Sequence, residues 1–283
     1  MSTDFQTVVH SIGDLPPMPV VATKVLQLLQ KPETNYVQLG QTISTDPAVS
    51  ARLLKVANSA FFSLKRQVKT LDHAIAIVGE RTLRSLVLAA SLEGMKKSYG
   101  LLEKLLWEDS IGCALGCRIL ARRFKSADPE EAFLAGLFRH LGQIVMNYSD
   151  PESFHALMTS FYAGDGTFNA IEGRHFPYAH AVIGAAVLDK WNFSAELIQS
   201  TLHHEDVQLS TDADETLLRL VATVNLADQI CARLGIGARE PNESVDVAQC
   251  PGALVLKLDQ NQIDMALEEV EEVFATNRDS FFS

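Results

Sequence analysis

Aromatic residues are scarce in this chain, at 7% of 283 residues, and there are only four cysteines. Cys113, Cys117, Cys231 and Cys250 form no Cys-x-x-Cys pair. That spacing gives no disulfide framework and agrees with a reducing compartment. Glycine and proline are not enriched, at 16 and 10 residues, which argues against a disordered chain. Long apolar runs are missing as well. The stretch Leu86 to Ala90 is far too short to cross a bilayer. The first residues, Met1 to Phe5, lack the basic start and apolar core of a signal peptide. A soluble cytoplasmic protein without membrane contact is the expectation. Positive charge is in deficit, with 24 Lys and Arg against 35 Asp and Glu and a formal net charge of −11. Such a field disfavours broad nucleic-acid binding. The clusters Lys65-Arg66-Lys69 and Arg122-Arg123-Lys125 read as solvated faces. There is no P-loop, no glycine fingerprint after a strand and no G-x-S-x-G turn.

What is present is apolar and helical. Hydrophobic residues make up 47% of the chain, enough for one large core or two packed subdomains. Leucine and alanine, both strong helix formers, are frequent. Val21, Val25, Leu28 and Leu29 recur at helical spacing after Pro16, Pro17 and Pro19. Asp46-Pro47 and Asp128-Pro129 each place an N-cap before a proline at the first helical position. Thr70 can cap a short helix that Gly79 would end. One long helix is expected over Leu101–Phe124. Others are expected over Tyr178–Lys190, Ser194–His203, Glu215–Leu234 and Gln260–Ala275. Gly164-Asp165-Gly166 reads as a turn, and Gly235 to Pro251 as irregular. No period-2 strand is convincing, so the fold class is all-α. The polar stretch Glu93 to Gly100 marks a junction between a helical unit over 1–98 and a second over 99–283. Cys113 and Cys117 share a helix face. They could form half of a metal site, but small buried apolar residues are the simpler reading.

Three blocks carry a resemblance. The first is Leu15-Pro16-Pro17-Met18-Pro19 followed by Asp46-Pro47-Ala48-Val49-Ser50-Ala51-Arg52-Leu53-Leu54-Lys55-Val56-Ala57-Asn58-Ser59-Ala60, Ala74-Ile75 and Val78-Gly79. The second is Ala135-Gly136-Leu137-Phe138-Arg139-His140-Leu141-Gly142-Gln143-Ile144-Val145. The third is His180-Ala181-Val182-Ile183-Gly184-Ala185, then His203-His204, then Ala227-Asp228. Together they resemble the HDOD family of bacteria, the HD-related output domain, over roughly residues 10 to 235. The resemblance implies a helical N-terminal subdomain packed on an HD-like helical subdomain. It also implies a role in signal transduction, with no defined reaction.

In HD phosphohydrolases the second block carries an adjacent His-Asp pair that binds metal. Here those places read Arg139 and His140. By resemblance the ligand places are Asp109, Arg139, His140, His180, His203 or His204, and Asp228. Arginine is a permanent cation without a lone pair and cannot ligate. Asp109, His140, His180 and Asp228 are the residues that could still hold a metal. No cofactor is predicted, and a divalent metal is the open alternative. Arg139 could replace the metal's charge by pairing with Asp228 or Asp109. It could equally be a surface residue beside an ordinary helix acid. His180 could cap or pack its helix, and His203-His204 could face the last carbonyls of theirs. His10, His73, His155 and His175 carry no spacing signal. Asn58-Ser59 reads as a helix-end motif, with Asn suited to a left-handed turn.

These features favour a non-catalytic signalling module that binds another protein, perforce a separate one, since the chain shows no attached receiver or kinase. Two other readings stand beside it. One is a metal-dependent phosphohydrolase of a nucleotide or cyclic dinucleotide with a rearranged site. The other is a sensor of a small anion, held by Arg139 and His180 in the old pocket.

Overall fold

Helix starts follow the caps that the sequence offers. The computed structural model describes residues 15–31, 33–59, 68–93, 100–209 and 213–282, and no strand occurs among them. Helix α1 is Val20–Leu29, entered through Pro19. Asn35 opens α2 (Tyr36–Ser44) with a reciprocal capping box to Gln38. Asp46 caps α3 (Pro47–Ala57) by accepting from the Ala48 and Val49 amides. Helix α4 runs Leu71–Glu93 and kinks at Gly79, whose φ of 77° only glycine adopts without strain. The expected stop at Gly79 is therefore a break between two helices laid end to end. Helix α5 is Leu101–Phe124, as the periodicity indicates.

Asp128 caps α6 (Pro129–Phe138), and α7 (Leu141–Ser149) follows at once. The second block of the resemblance therefore spans two helices, broken at Arg139 and His140. Then come α8 (Pro151–Ala163), α9 (Phe168–His175), α10 (His180–Lys190), α11 (Ala195–His203) and α12 (Glu215–Leu234). A 3₁₀ turn over Val247–Gln249 lies within the segment expected to be irregular, and α13 (Pro251–Leu256) begins at its end. The last helix, α14, spans Gln260–Phe282 and outruns its expected end.

Helices α1, α2 and α3 pack on α4, and α4 in turn packs on α6. Helix α5 lies against α6, α12 and α14, while α10 packs on α7 and α11. One apolar core runs through both halves, from Val25 and Leu53 past Leu83 and Leu88 to Leu115, Phe138, Leu188 and Ile230. The Leu15-Pro16 segment is tied to the end of α10. The Trp191 indole donates to the Pro16 carbonyl at 3.0 Å and Lys190 donates to that of Leu15 at 2.7 Å. The expected junction falls mostly on residues 94–99, which lie outside the described residues, as do Ala60, Lys65 and Arg66.

Asn58 corrects an expectation. Its φ of −87° is right-handed, so no left-handed turn is needed there. Its side chain acts instead as a tether. The amide donates to the Leu54 and Val68 carbonyls at 2.8 Å each, and its oxygen accepts the Val68 N–H at 2.7 Å. Ser59 is buried beside it. Asn58→Ala should lower stability by about 1–2 kcal/mol, the net worth of such a bonded side chain. A urea denaturation midpoint reads this directly, and an unchanged midpoint would show the segment is held elsewhere.

Candidate functional site

Six helices bring six of the seven site residues to one place. Asp109 comes from mid-α5, and Arg139 and His140 from the α6–α7 break. His180 opens α10, His204 closes α11 and Asp228 lies on α12. Two glycines let the helix starts meet. A Cβ on Gly142 would lie 1.9 Å from the His180 carbonyl oxygen, and one on Gly184 would lie 3.0 Å from the Gly142 nitrogen. Only backbone hydrogens fit between α7 and α10 there, and that close approach sets His140 against His180.

The Arg139 side chain is 0% exposed. Its Nε donates to Asp228 Oδ1 at 2.6 Å and its Nη2 to Asp109 Oδ1 at 2.5 Å. Nη1 donates to the carbonyls of Asp109 and Gly136 at 3.3 and 3.4 Å. Arg139 is therefore no surface residue, and it pairs with both carboxylates. Burial alone would raise the Asp109 and Asp228 carboxyls, but the guanidinium, and then His140, outweigh it and hold both below the usual carboxylate range. Burial would likewise lower Arg139, and the two carboxylates help drive it the other way. All four carboxylate oxygens have partners. Asp109 Oδ2 meets His140 Nδ1 at 2.7 Å, and Asp228 Oδ2 accepts from Gln229 at 3.2 Å.

The imidazoles form the other half of the site. The ring centroids of His140, His180 and His204 stand 5.1 to 5.3 Å apart, each pair edge to face. Glu172, buried in α9, accepts from both the backbone N–H and the Nδ1 of His180 at 2.9 Å. His204 Nδ1 meets the Thr201 carbonyl at 2.8 Å. Burial, followed by the neighbouring His140 and His180, pushes His204 well below the usual histidine range. Asn225, also fully buried, pins this corner. It donates to the carbonyls of His204 and Glu205 at 2.8 and 3.0 Å and accepts the Gly252 N–H at 2.8 Å.

His203 is the residue the structure leaves out. Its ring points away from the cluster, with Nδ1 3.9 Å from Asp206. Neighbouring helix residues differ in direction by about 100°, so only one of an adjacent pair can face the site. Nor do the four residues expected to hold a metal converge as one set. Among the described residues, the groupings with ligand atoms within 4.8 Å of one another are Asp109-His140-Asp228 and His140-His180-His204. The first does not fit a metal, because Arg139 already occupies both carboxylates with its own charge. Cys113 and Cys117 are buried with sulfurs 3.8 Å apart and belong to neither grouping.

Glu172 and Asn225 were not evident from the sequence. Asn225 sits three residues before Asp228 on the same helix face, which is the one local signal for it. Glu172 has no such signal, since a loop separates it from His180.

The family model described as HDOD domain matches residues 15–207, more than half of the chain. An uncharacterized protein of Treponema pallidum (strain Nichols) is 23% identical over 221 residues, which are 78% of this chain and 43% of that protein. Cyclic di-GMP phosphodiesterase CdgJ of Vibrio cholerae serotype O1 is 28% identical over 134 residues, which are 46% of this chain and 29% of the relative. The chain spans less than half the length of these two relatives. A crystal structure of an HDOD domain protein from Geobacter sulfurreducens matches with a TM-score of 0.77 at 21% identity, over 99% of this chain and 97% of that one. One from Shewanella amazonensis SB2B matches with a TM-score of 0.71 at 23% identity, over 98% of this chain and 96% of that one. At such identities the likeness is one of fold.

Proposed function

The chain belongs to the HDOD domain family, and we propose that it is a non-hydrolytic regulatory module of signal transduction that acts by binding another protein. The observation that carries this reading is Arg139, fully buried between Asp109 and Asp228. A metal held by Asp109 and Asp228 would need the carboxylate oxygens that Arg139 already binds, together with a vacant position for water. Here the guanidinium takes the oxygens and supplies the charge.

The partner-binding surface we favour is the cleft where the first helical layer meets α10. It is about 470 Å³ in volume and is lined by Met18, Leu26, Gln27, Arg84, Trp191 and Phe193. Arg84 lies over the Phe193 ring at 5.9 Å. This mix of aromatic, aliphatic and arginine side chains is typical of binding surfaces. The sensor reading loses its main contact, because an anion in the old pocket cannot reach an Arg139 guanidinium with no exposed surface.

One relative is named a cyclic di-GMP phosphodiesterase, so hydrolysis is the alternative to test. The protein, incubated with cyclic di-GMP and with a chromogenic phosphodiester in the presence of manganese or iron, should give no product above a protein-free blank. Metal-dependent turnover that disappears in Asp228→Asn would overturn the reading. No helix among the described residues is long and apolar enough to cross a membrane.

A further inference from the structure

The three imidazoles have a donor pattern that calls for a shared partner. His180 Nδ1 faces the Glu172 carboxylate, His204 Nδ1 faces a backbone carbonyl and His140 Nδ1 faces the Asp109 carboxylate. A carbonyl and an ionised carboxylate can only accept, so each Nδ1 carries the ring proton. In the neutral ring the lone pair is then on Nε2. His180 Nε2 and His204 Nε2 are turned toward each other at 3.4 Å. Two lone pairs at that separation repel unless something lies between them or one ring is protonated.

The spacing suits a metal. Nitrogens bound tetrahedrally at about 2.0–2.1 Å, the zinc–imidazole distance, stand about 3.3–3.4 Å apart. One nitrogen from each of the three rings lies within 4.8 Å of the others. Acceptors on the far nitrogen of each ring are what metal-ligating histidines ordinarily have, and they fix tautomer and orientation. The local charge also favours a cation. Asp109 and Asp228 together outweigh Arg139 by one negative charge, and Glu172 stands behind His180. Glu205 Oε1 is 3.9 Å from His180 Nε2 and is placed to approach a fourth position.

We propose that His140, His180 and His204 bind one zinc-class divalent ion through their Nε2 atoms, beside the Arg139-filled carboxylates and not between them. The ligand set is all imidazole nitrogen at the protein's own helix ends, which suits zinc, cobalt, nickel or copper over magnesium or calcium. The ion joins α7, α10 and α11. This claim does not depend on the partner-binding reading, and its test measures metal occupancy.

The test is a titration of the metal-stripped full chain with cobalt(II), followed by visible absorption. We expect the intense bands of four-coordinate cobalt, saturating at one ion per chain and displaced by zinc. His180→Gln and His140→Gln should each lose the bands, while His203→Gln, outside the cluster, should match the parent. Circular dichroism of each variant separates lost ligation from lost folding, and His140, partly exposed, is the variant least exposed to that risk. Absence of four-coordinate bands at excess cobalt would overturn the proposal. So would bands that survive in folded His140→Gln, or that vanish in Asp228→Asn but persist in His180→Gln.

Discussion

Arg139→Met should unfold about 3 kcal/mol more easily than the parent protein. Removing one partner of a buried ion pair leaves an uncompensated charge, which costs about 3–5 kcal/mol. Asp109 and Asp228 keep some contact with solvent, at 17% side-chain exposure each, so the lower end applies. Methionine fills much of the arginine volume, which confines the loss to charge and hydrogen bonds. The expected signature is a lower urea midpoint with an unchanged slope, since the exposed surface on unfolding is the same. The companion variant Arg139→Met, Asp109→Asn, Asp228→Asn should recover most of the loss, because a buried pair replaced as a whole is often nearly neutral. Full stability of the single variant would mean that the guanidinium does not bear the carboxylate charge.

Gly142→Ala should cost a similar amount, about 3 kcal/mol, for a different reason. Its new methyl would lie 1.9 Å from the His180 carbonyl oxygen and 2.6 Å from its carbon. Both atoms are backbone at the start of α10, so no side chain can swing aside and a helix must move. Overpacking of this sort costs about 1–3 kcal/mol, and a backbone obstacle places it at the top of the range. The shift also separates His140 from His180, so the cobalt bands should weaken together with stability. Gly173→Ala is the control. Gly173 lies in α9 with nothing within 4 Å of the added methyl, and alanine's better helix propensity should raise stability by up to about 1 kcal/mol. Thermal or urea unfolding of the two variants separates the steric effect from a general glycine effect.

Much of the helical frame was legible because caps and periodicity agree. Asp46-Pro47 and Asp128-Pro129 mark their helices, and Leu101–Phe124 and Glu215–Leu234 have the bounds that periodicity indicates. Helix α2 is not marked by periodicity because in nine residues it buries only two large apolar side chains, Leu39 and Ile43, although Asn35 and Gln38 spell its capping box. Helices α8, α9 and α13 were also missed, and α9 and α13 are short, at eight and six residues. In the site, charge allows Arg139 either to pair with the acids or to lie at the surface, and only its burial decides for the pairing. The choice between His203 and His204 does not follow, because adjacent residues differ only in helix phase. Glu172 depends on how α9 folds back beside α10, which local pattern does not encode. The meeting of α7 and α10 rests on Gly142 and Gly184, whose packing role shows only once both helices are placed.

Anomalous diffraction from crystals grown with manganese and zinc tests the central claim most directly. The account predicts the Arg139 guanidinium between Asp109 and Asp228, with no anomalous peak within bonding distance of either carboxylate. A metal bridging Asp109 and Asp228, with Arg139 turned out of the site, would contradict it.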